Sequence, residues 1–234
     1  MILYFVVHSF TDRIFTGNPA GVCPLEGWID EETMQKIATE NRLSETAFFA
    51  REGEAYRLRW FTPRNEVDLC GHATLASAHV LFDHLGHEAD TIKFHTLSGE
   101  LAVWKDGESL VMDFPSRPAQ EVEAPDHLAA GLRSDVDHVF KSRDYMAVFE
   151  SERQVRELDP DFSELEKLDC TGIIATAPGE QVDFVSRFFA PREGVPEDPV
   201  TGSAHCTLAP YWAARFGRNE LVARQVSARG GELR

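Results

Sequence analysis

The strongest constraint on how this chain can fold is that its sequence is written twice. Trp60-Phe61-Thr62-Pro63-Arg64 recurs as Phe188-Phe189-Ala190-Pro191-Arg192, each at the end of a β-rich run. Downstream, Gly71-His72-Ala73-Thr74 is answered by Gly202-Ser203-Ala204-His205. Each of these first glycines opens an alanine-rich, helix-period stretch that ends 15 residues later at another glycine, Gly86 or Gly217. A further strand is expected ahead of each copy, over residues 46–51 and 172–177, so the repeated unit is strand, strand, loop, helix. One apolar-striped helix with several alternating strands suits a curved, mostly antiparallel sheet wrapped around a helix. The expected fold class is therefore α+β, in two duplicated domains. The polar, proline-flanked stretch 116–125 marks the boundary, giving domains 1–117 and 118–234.

Other elements complete each half. The apolar opening residues 1–10 read as a first strand, with neither the basic start nor the cleavage site of a signal peptide. Asp30 is placed to cap a helix over about 31–41. Residues 91–95, 100–104 and 110–114 read as a meander turned at Ser98-Gly99 and Asp106-Gly107. Pro210 falls inside the second repeat helix, where a kink is expected.

Composition narrows the partners. The 234 residues carry 23 Lys plus Arg against 39 Asp plus Glu, a net charge of −16, which repels nucleic acid and anionic membranes and favours a small-molecule partner. No apolar run reaches the roughly 20 residues that span a bilayer. Cys23, Cys70, Cys170 and Cys206 are scattered without a CxxC pair, which fits reduced thiols in a cytoplasm. His79, His84 and His87 lie near one helix end without carboxylates at ligand spacing, so no metal is expected.

A duplicated fold is expected to form a cleft between its copies, with chemistry where the copies differ. Ser44-Glu45-Thr46 leads into the buried run Ala47-Phe48-Phe49, whereas the equivalent stretch near Ile173 is apolar. A carboxylate held against apolar surface has its charged form disfavoured, which tunes Glu45 toward taking and returning a proton. The plainer alternative is a solvated residue at a strand start. The second copy inserts three residues before its helix, giving Glu197-Asp198-Pro199-Val200-Thr201-Gly202-Ser203. Thr201 or Ser203 can cap that helix, and glycines at both helix starts leave backbone N–H groups open to an anion such as a substrate carboxylate.

Four segments together resemble the PhzF-like isomerases of phenazine biosynthesis: Gly17-Asn18-Pro19-Ala20-Gly21-Val22, Leu43-Ser44-Glu45-Thr46-Ala47-Phe48, Cys70-Gly71-His72-Ala73-Thr74-Leu75-Ala76, and Glu197 through His205. Their order and spacing match across nearly the whole chain. The resemblance implies a diaminopimelate epimerase-like fold and no cofactor. It also implies that Glu45 shuttles a proton between carbons of a cyclohexadiene amino acid, assisted by His72, Asp198 and Ser203. The same motifs put Asn18, Ser44, Gly71, Ala73, Thr201 and Gly202 around the substrate, and a cytoplasmic homodimer is the expected assembly. The sequence ends at Arg234, where similar proteins continue through further strand.

Two other functions remain open at this stage. Cys70 stands where two-thiol racemases have a catalytic cysteine, but the partner position is Thr201, whose hydroxyl cannot ionise near neutral pH. On this reading Cys70 packs beside the helix start and donates no essential proton. The second alternative is a non-catalytic binding protein on the same scaffold.

Overall fold

The structure, a computed structural model, describes residues 2–136 and 138–234. It divides into two compact units, Met1–Ser9 with Pro19–Phe114, and Phe10–Asn18 with Pro115–Arg234. The division after Phe114 falls close to the proline-flanked stretch. The segment Phe10–Asn18 packs with the second unit although it lies early in the chain, a placement that a contiguous split of the sequence does not contain.

The first unit is one sheet of eight strands: β1 (Phe5–Ser9), β2 (Asn18–Leu25), β3 (Glu45–Glu52), β4 (Ala55–Phe61), β5 (Glu66–Val67), β6 (Thr91–Thr96), β7 (Gly99–Asp106) and β8 (Ser109–Met112), with β5 branching off β4. Helices α1 (Glu31–Asn41) and α2 (Gly71–Asp83) cover opposite faces of β3. The period of two along Ala47-Phe48-Phe49 sorts these residues between the helices. Ala47 and Phe49 join the α2 core with Ala73, Ala76, Val80 and Leu81, while Phe48 joins Met34 and Ala38 of α1. Coverage on both faces explains why β3 reads as a continuous apolar run. Asp30 caps α1 as expected, accepting from Thr33 N at 2.9 Å.

Ten of the 13 residues of α2 are buried, so its alanines serve close approach on every side. Its polar residues are satisfied internally: Thr74 Oγ1 donates to Cys70 O at 2.6 Å and Ser77 Oγ to Ala73 O at 2.7 Å.

The second unit repeats the plan with β9 (Gln120–Val122), β10 (His138–Lys141), β11 (Tyr145–Val148), β12 (Ile173–Pro178), β13 (Phe184–Ala190), β14 (Val195–Asp198), β15 (Ala223–Gln225) and β16 (Gly231–Leu233). The duplication extends to strand direction. β2–β3 is parallel, β3–β4 and β4–β5 antiparallel, β4–β6 parallel and β6–β7 antiparallel. β11–β12, β12–β13, β13–β14, β13–β15 and β15–β16 repeat the same signs in the same order. Short helices α3 (Leu128–Leu132), α4 (Glu152–Glu157) and α5 (Phe162–Leu165) pack on one face, and α6 (Gly202–Phe216) packs on the other through Ala204, Leu208 and Trp212. α6 runs through Pro210 to a left-handed Gly217 cap.

Two local expectations are corrected. The stretch 116–125 is not plain linker, because β9 lies inside it and pairs with β10. The meander turns sit one residue away from the expected pairs. Thr96 pairs with Gly99 and Asp106 with Ser109, leaving Leu97-Ser98 and Gly107-Glu108 as the turns. At the second turn Gly107 has φ +62°, and a glycine at the first central position is what a type II′ hairpin requires. No helix among the described residues is long and apolar enough to cross a membrane.

Candidate active site

Glu45 is the first residue of β3, and His72 lies in the first turn of α2. These two elements bring Glu45 Oε2 to 3.4 Å from His72 Nε2. The other ring nitrogen, Nδ1, is 3.5 Å from Cys70 Sγ, and the backbone oxygen of His72 accepts from Ser9 Oγ at 2.6 Å. His72 is 3% exposed, and burial pushes its pKa down to about 3, so the imidazole is neutral through the working pH range. A neutral ring carries one proton, and the partner of one nitrogen decides what the other presents.

Glu45, Cys70 and His72 each offer one donor atom within 4.8 Å of the others, the one group among the described residues with the composition to hold a metal ion. The ring meets the thiol at Nδ1, and at Nε2 it stands 3.4 Å from the carboxylate without a hydrogen bond to it. Thiol and carboxylate therefore lie at opposite ring nitrogens, whereas a single ion takes only one of them. His79, expected to lack a carboxylate, instead contacts Asp83 one turn on at 2.7 Å, on the exposed side of α2.

Gly71 and Ala73 flank His72 in the same buried turn, and Ser44 directly precedes Glu45. Cys70 occupies the N-cap position without a side-chain capping bond, so the first turn of α2 keeps backbone donors that its own cap residue does not satisfy.

The other expected residues gather in the second unit. Asp198, at the end of β14, accepts from Asn18 Nδ2 at 2.8 Å and from the Thr201 hydroxyl. Asn18 Nδ2 also reaches Val200 O at 2.8 Å. Gln225 of β15 ties the loop together, donating to Asp198 O at 2.7 Å and accepting from Thr201 N at 2.8 Å. Thr201 takes the N-cap position of α6, as the sequence allowed, and Ser203 lies inside the helix. The Thr201 side chain is engaged by Asp198 and makes no capping bond, and Ser203 Oγ receives Arg143 Nη2 at 3.2 Å. Gly202 begins α6, buried between them. His205 Nδ1 donates to Thr201 O at 2.9 Å, and burial lowers its pKa to about 4 against the opposing pull of that carbonyl.

Sequence reasoning missed Ser9, Arg143 and Gln225. Arg143 has a tertiary cause. Its guanidinium pairs with Asp144 at 3.1 Å, and Asp144 Oδ1 accepts from Gly172 N at 3.1 Å. A Cβ at Gly172 would stand 2.2 Å from the Phe188 ring, so only glycine admits this approach. The repeat motif gives no hint of it, because the first unit has no arginine in that role.

The two repeated units, each a curled mixed sheet around a buried helix, define the diaminopimelate epimerase-like fold, and proteins of this build include racemases and epimerases. A crystal structure described as a probable proline racemase from Agrobacterium radiobacter shares the fold at TM-score 0.68, with 11% identity, covering 99% of this chain and 83% of that one. The particular family is decided by closer matches. The sequence profile described as phenazine biosynthesis-like protein, PhzC-PhzF, matches residues 7–234. An uncharacterized isomerase of Pseudomonas aeruginosa is 51% identical over 229 residues, covering 98% of this chain and 88% of that protein. The crystal structure of a phenazine biosynthesis PhzF family protein from Enterococcus faecalis superposes at TM-score 0.94 with 47% identity, covering all of this chain and 90% of that one. The chain belongs to the phenazine biosynthesis-like (PhzF) family and is an isomerase.

Proposed function

We propose that this isomerase works without a cofactor and shifts a proton between carbons of a small, carboxylate-bearing, amino-acid-like substrate, with Glu45 as the general acid/base. The observation that carries the reading is the Glu45 carboxylate 3.4 Å from a buried, neutral His72 at the uncapped start of α2. A carboxylate takes the proton from one carbon and returns it to another, and the electron pair left behind moves through the substrate's conjugated system, so no redox partner is needed. In the second unit, Asp198 with Asn18 and Thr201, and Ser203 with Arg143, supply a carboxylate and hydroxyls suited to holding an amino group and polar oxygens. Gly71, Ala73 and Gly202, at the two helix starts, complete the proposed set of substrate-binding residues.

The two-thiol alternative loses its second base, because the Thr201 hydroxyl is committed to Asp198. The proposal includes a cytoplasmic homodimer. The four described cysteines, all free thiols, support a reducing compartment, and light scattering on the purified protein tests the assembly.

The test of the mechanism is Glu45→Gln, assayed by solvent deuterium incorporation into a panel of cyclic and unsaturated amino acids. Turnover is expected to fall by about 10² to 10⁴ while the fold is kept, because the amide preserves shape but cannot carry the proton. Activity within about threefold of wild type, inside the range a lost spectator hydrogen bond allows, rejects Glu45 as the proton carrier.

A further inference from the structure

We propose that Cys70 is a positioning residue for His72: its thiol donates to Nδ1, which leaves the ring proton on Nε2, directed at Glu45. The inference rests on the reading of Glu45 above and extends it to a residue that sequence treats as packing.

Three observations carry it. The first is local. The position before a helix is ordinarily filled by a side chain that caps it, yet Cys70, at φ −142° and ψ 107°, makes no capping bond. Its sulfur stands 3.5 Å from His72 Nδ1 instead. A side chain at the N-cap position that engages a neighbouring ring rather than the helix backbone marks a place where another requirement has won.

The second observation is the linear order of the groups. Thiol, imidazole and carboxylate follow one another as Sγ to Nδ1 at 3.5 Å and Nε2 to Oε2 at 3.4 Å. The imidazole is therefore bracketed along both nitrogens, and the state of one edge sets the other. A thiol that donates to Nδ1 excludes the tautomer with its proton there and leaves the proton on Nε2, which faces the carboxylate at 3.4 Å but makes no hydrogen bond to it in this conformation. The Nε2 to Oε2 distance is within reach of a bond that tightens when substrate is bound.

The third observation is that the thiol and the ring are buried while the carboxylate keeps partial exposure. Cys70 and His72 are both buried, and burial keeps the ring neutral. In such a setting a correctly oriented neutral hydrogen-bond chain is worth more than in water, and an unpartnered ring nitrogen costs more. The same arrangement separates this site from two-thiol chemistry. The sulfur faces the imidazole, so it acts through His72 and never needs to become the base.

Cys70→Ala removes both donor and acceptor, whereas Cys70→Ser keeps both in nearly the same volume. With a cyclohexadiene amino acid as probe in deuterated water, Cys70→Ala should lower kcat by roughly fivefold to tenfold at unchanged KM, the scale of one lost hydrogen bond. Cys70→Ser should recover most of that loss. A second readout needs no substrate: nitrogen NMR of the histidine-labelled full-length protein reports which nitrogen of His72 carries the proton. Wild type and Cys70→Ser should show Nε2–H and a hydrogen-bond-accepting Nδ1, and Cys70→Ala should lose that single tautomer.

Wild-type kcat in Cys70→Ala with an unchanged nitrogen spectrum overturns the inference. So does an equal loss in Cys70→Ser, which makes the thiol a reacting group. If Glu45→Gln stays active, the mechanism falls instead, and the nitrogen spectra still decide the role of Cys70.

Discussion

Lowering the pH from 7.5 to 5 should cost this protein about 4 kcal/mol of stability through two histidines alone. His72 and His205 are held near pKa 3 and 4 by burial, against an ordinary value of 6.5. Because the folded-state values are depressed, the unfolded chain binds these two protons first. The stabilisation is complete above pH 6.5 and is lost as pH falls toward the folded values. Each ring that must stay neutral at pH 5 gives up about 2 kcal/mol, so the pair removes a large part of the roughly 5 to 15 kcal/mol a domain usually has. The slope approaches about 2.7 kcal/mol per pH unit, two protons' worth. Urea unfolding between pH 7.5 and 5 measures it. That lower limit stays above the ordinary carboxylate values at which the unfolded chain takes up protons on Asp30, Asp161 and Glu164, which hydrogen bonds from Thr33, Ser163 and Lys167 hold below those values in the folded protein. His205→Asn keeps a donor for the Thr201 carbonyl and removes the titration, so the slope should fall to about one proton, roughly 1.4 kcal/mol per unit. A flat wild-type curve, or the same slope in His205→Asn, refutes the argument that the fold holds these rings neutral.

Trp212 is fully buried on α6, with its ring 5.7 Å from Phe184 and 5.3 Å from Phe216 and its N–H donating to Thr176 Oγ1 at 3.0 Å. Trp212→Ala should destabilise the protein by about 3 to 5 kcal/mol by chemical denaturation, and a loss under about 1 kcal/mol would mean the site collapses around the cavity. Asp198→Asn replaces an acceptor-only carboxylate by an amide that presents a donor to Asn18 or Thr201. It should lower kcat/KM by at least about tenfold, and an unchanged value reduces Asp198 to a loop-ordering residue.

Much of the scaffold was legible in the residues. The repeated aromatic-Pro-Arg and Gly-opened helix motifs fixed two copies of one unit, because a helix of small residues beside apolar strands has few ways to bury both. The Asp30 cap followed from equally local chemistry, and the unduplicated Glu45 was visible as a difference between the copies. The hairpin turns moved by one residue because strand pairing, which is non-local, sets the register. The short strand β9 was hidden because a polar stretch becomes a strand only when β10 offers an edge. Sequence could name Cys70, His72 and Glu45 but could not order them, since adjacency in the chain does not say which ring nitrogen meets sulfur and which meets carboxylate. It also could not show that Thr201 turns to Asp198 rather than to its own helix, that Arg143 reaches Ser203, or that Phe10–Asn18 packs with the second unit. The Arg143 and Phe10–Asn18 placements depend on which distant backbone arrives beside a side chain, and the Thr201 orientation on Gln225 and Asn18 reaching the same loop from afar. Only the assembled sheets determine that.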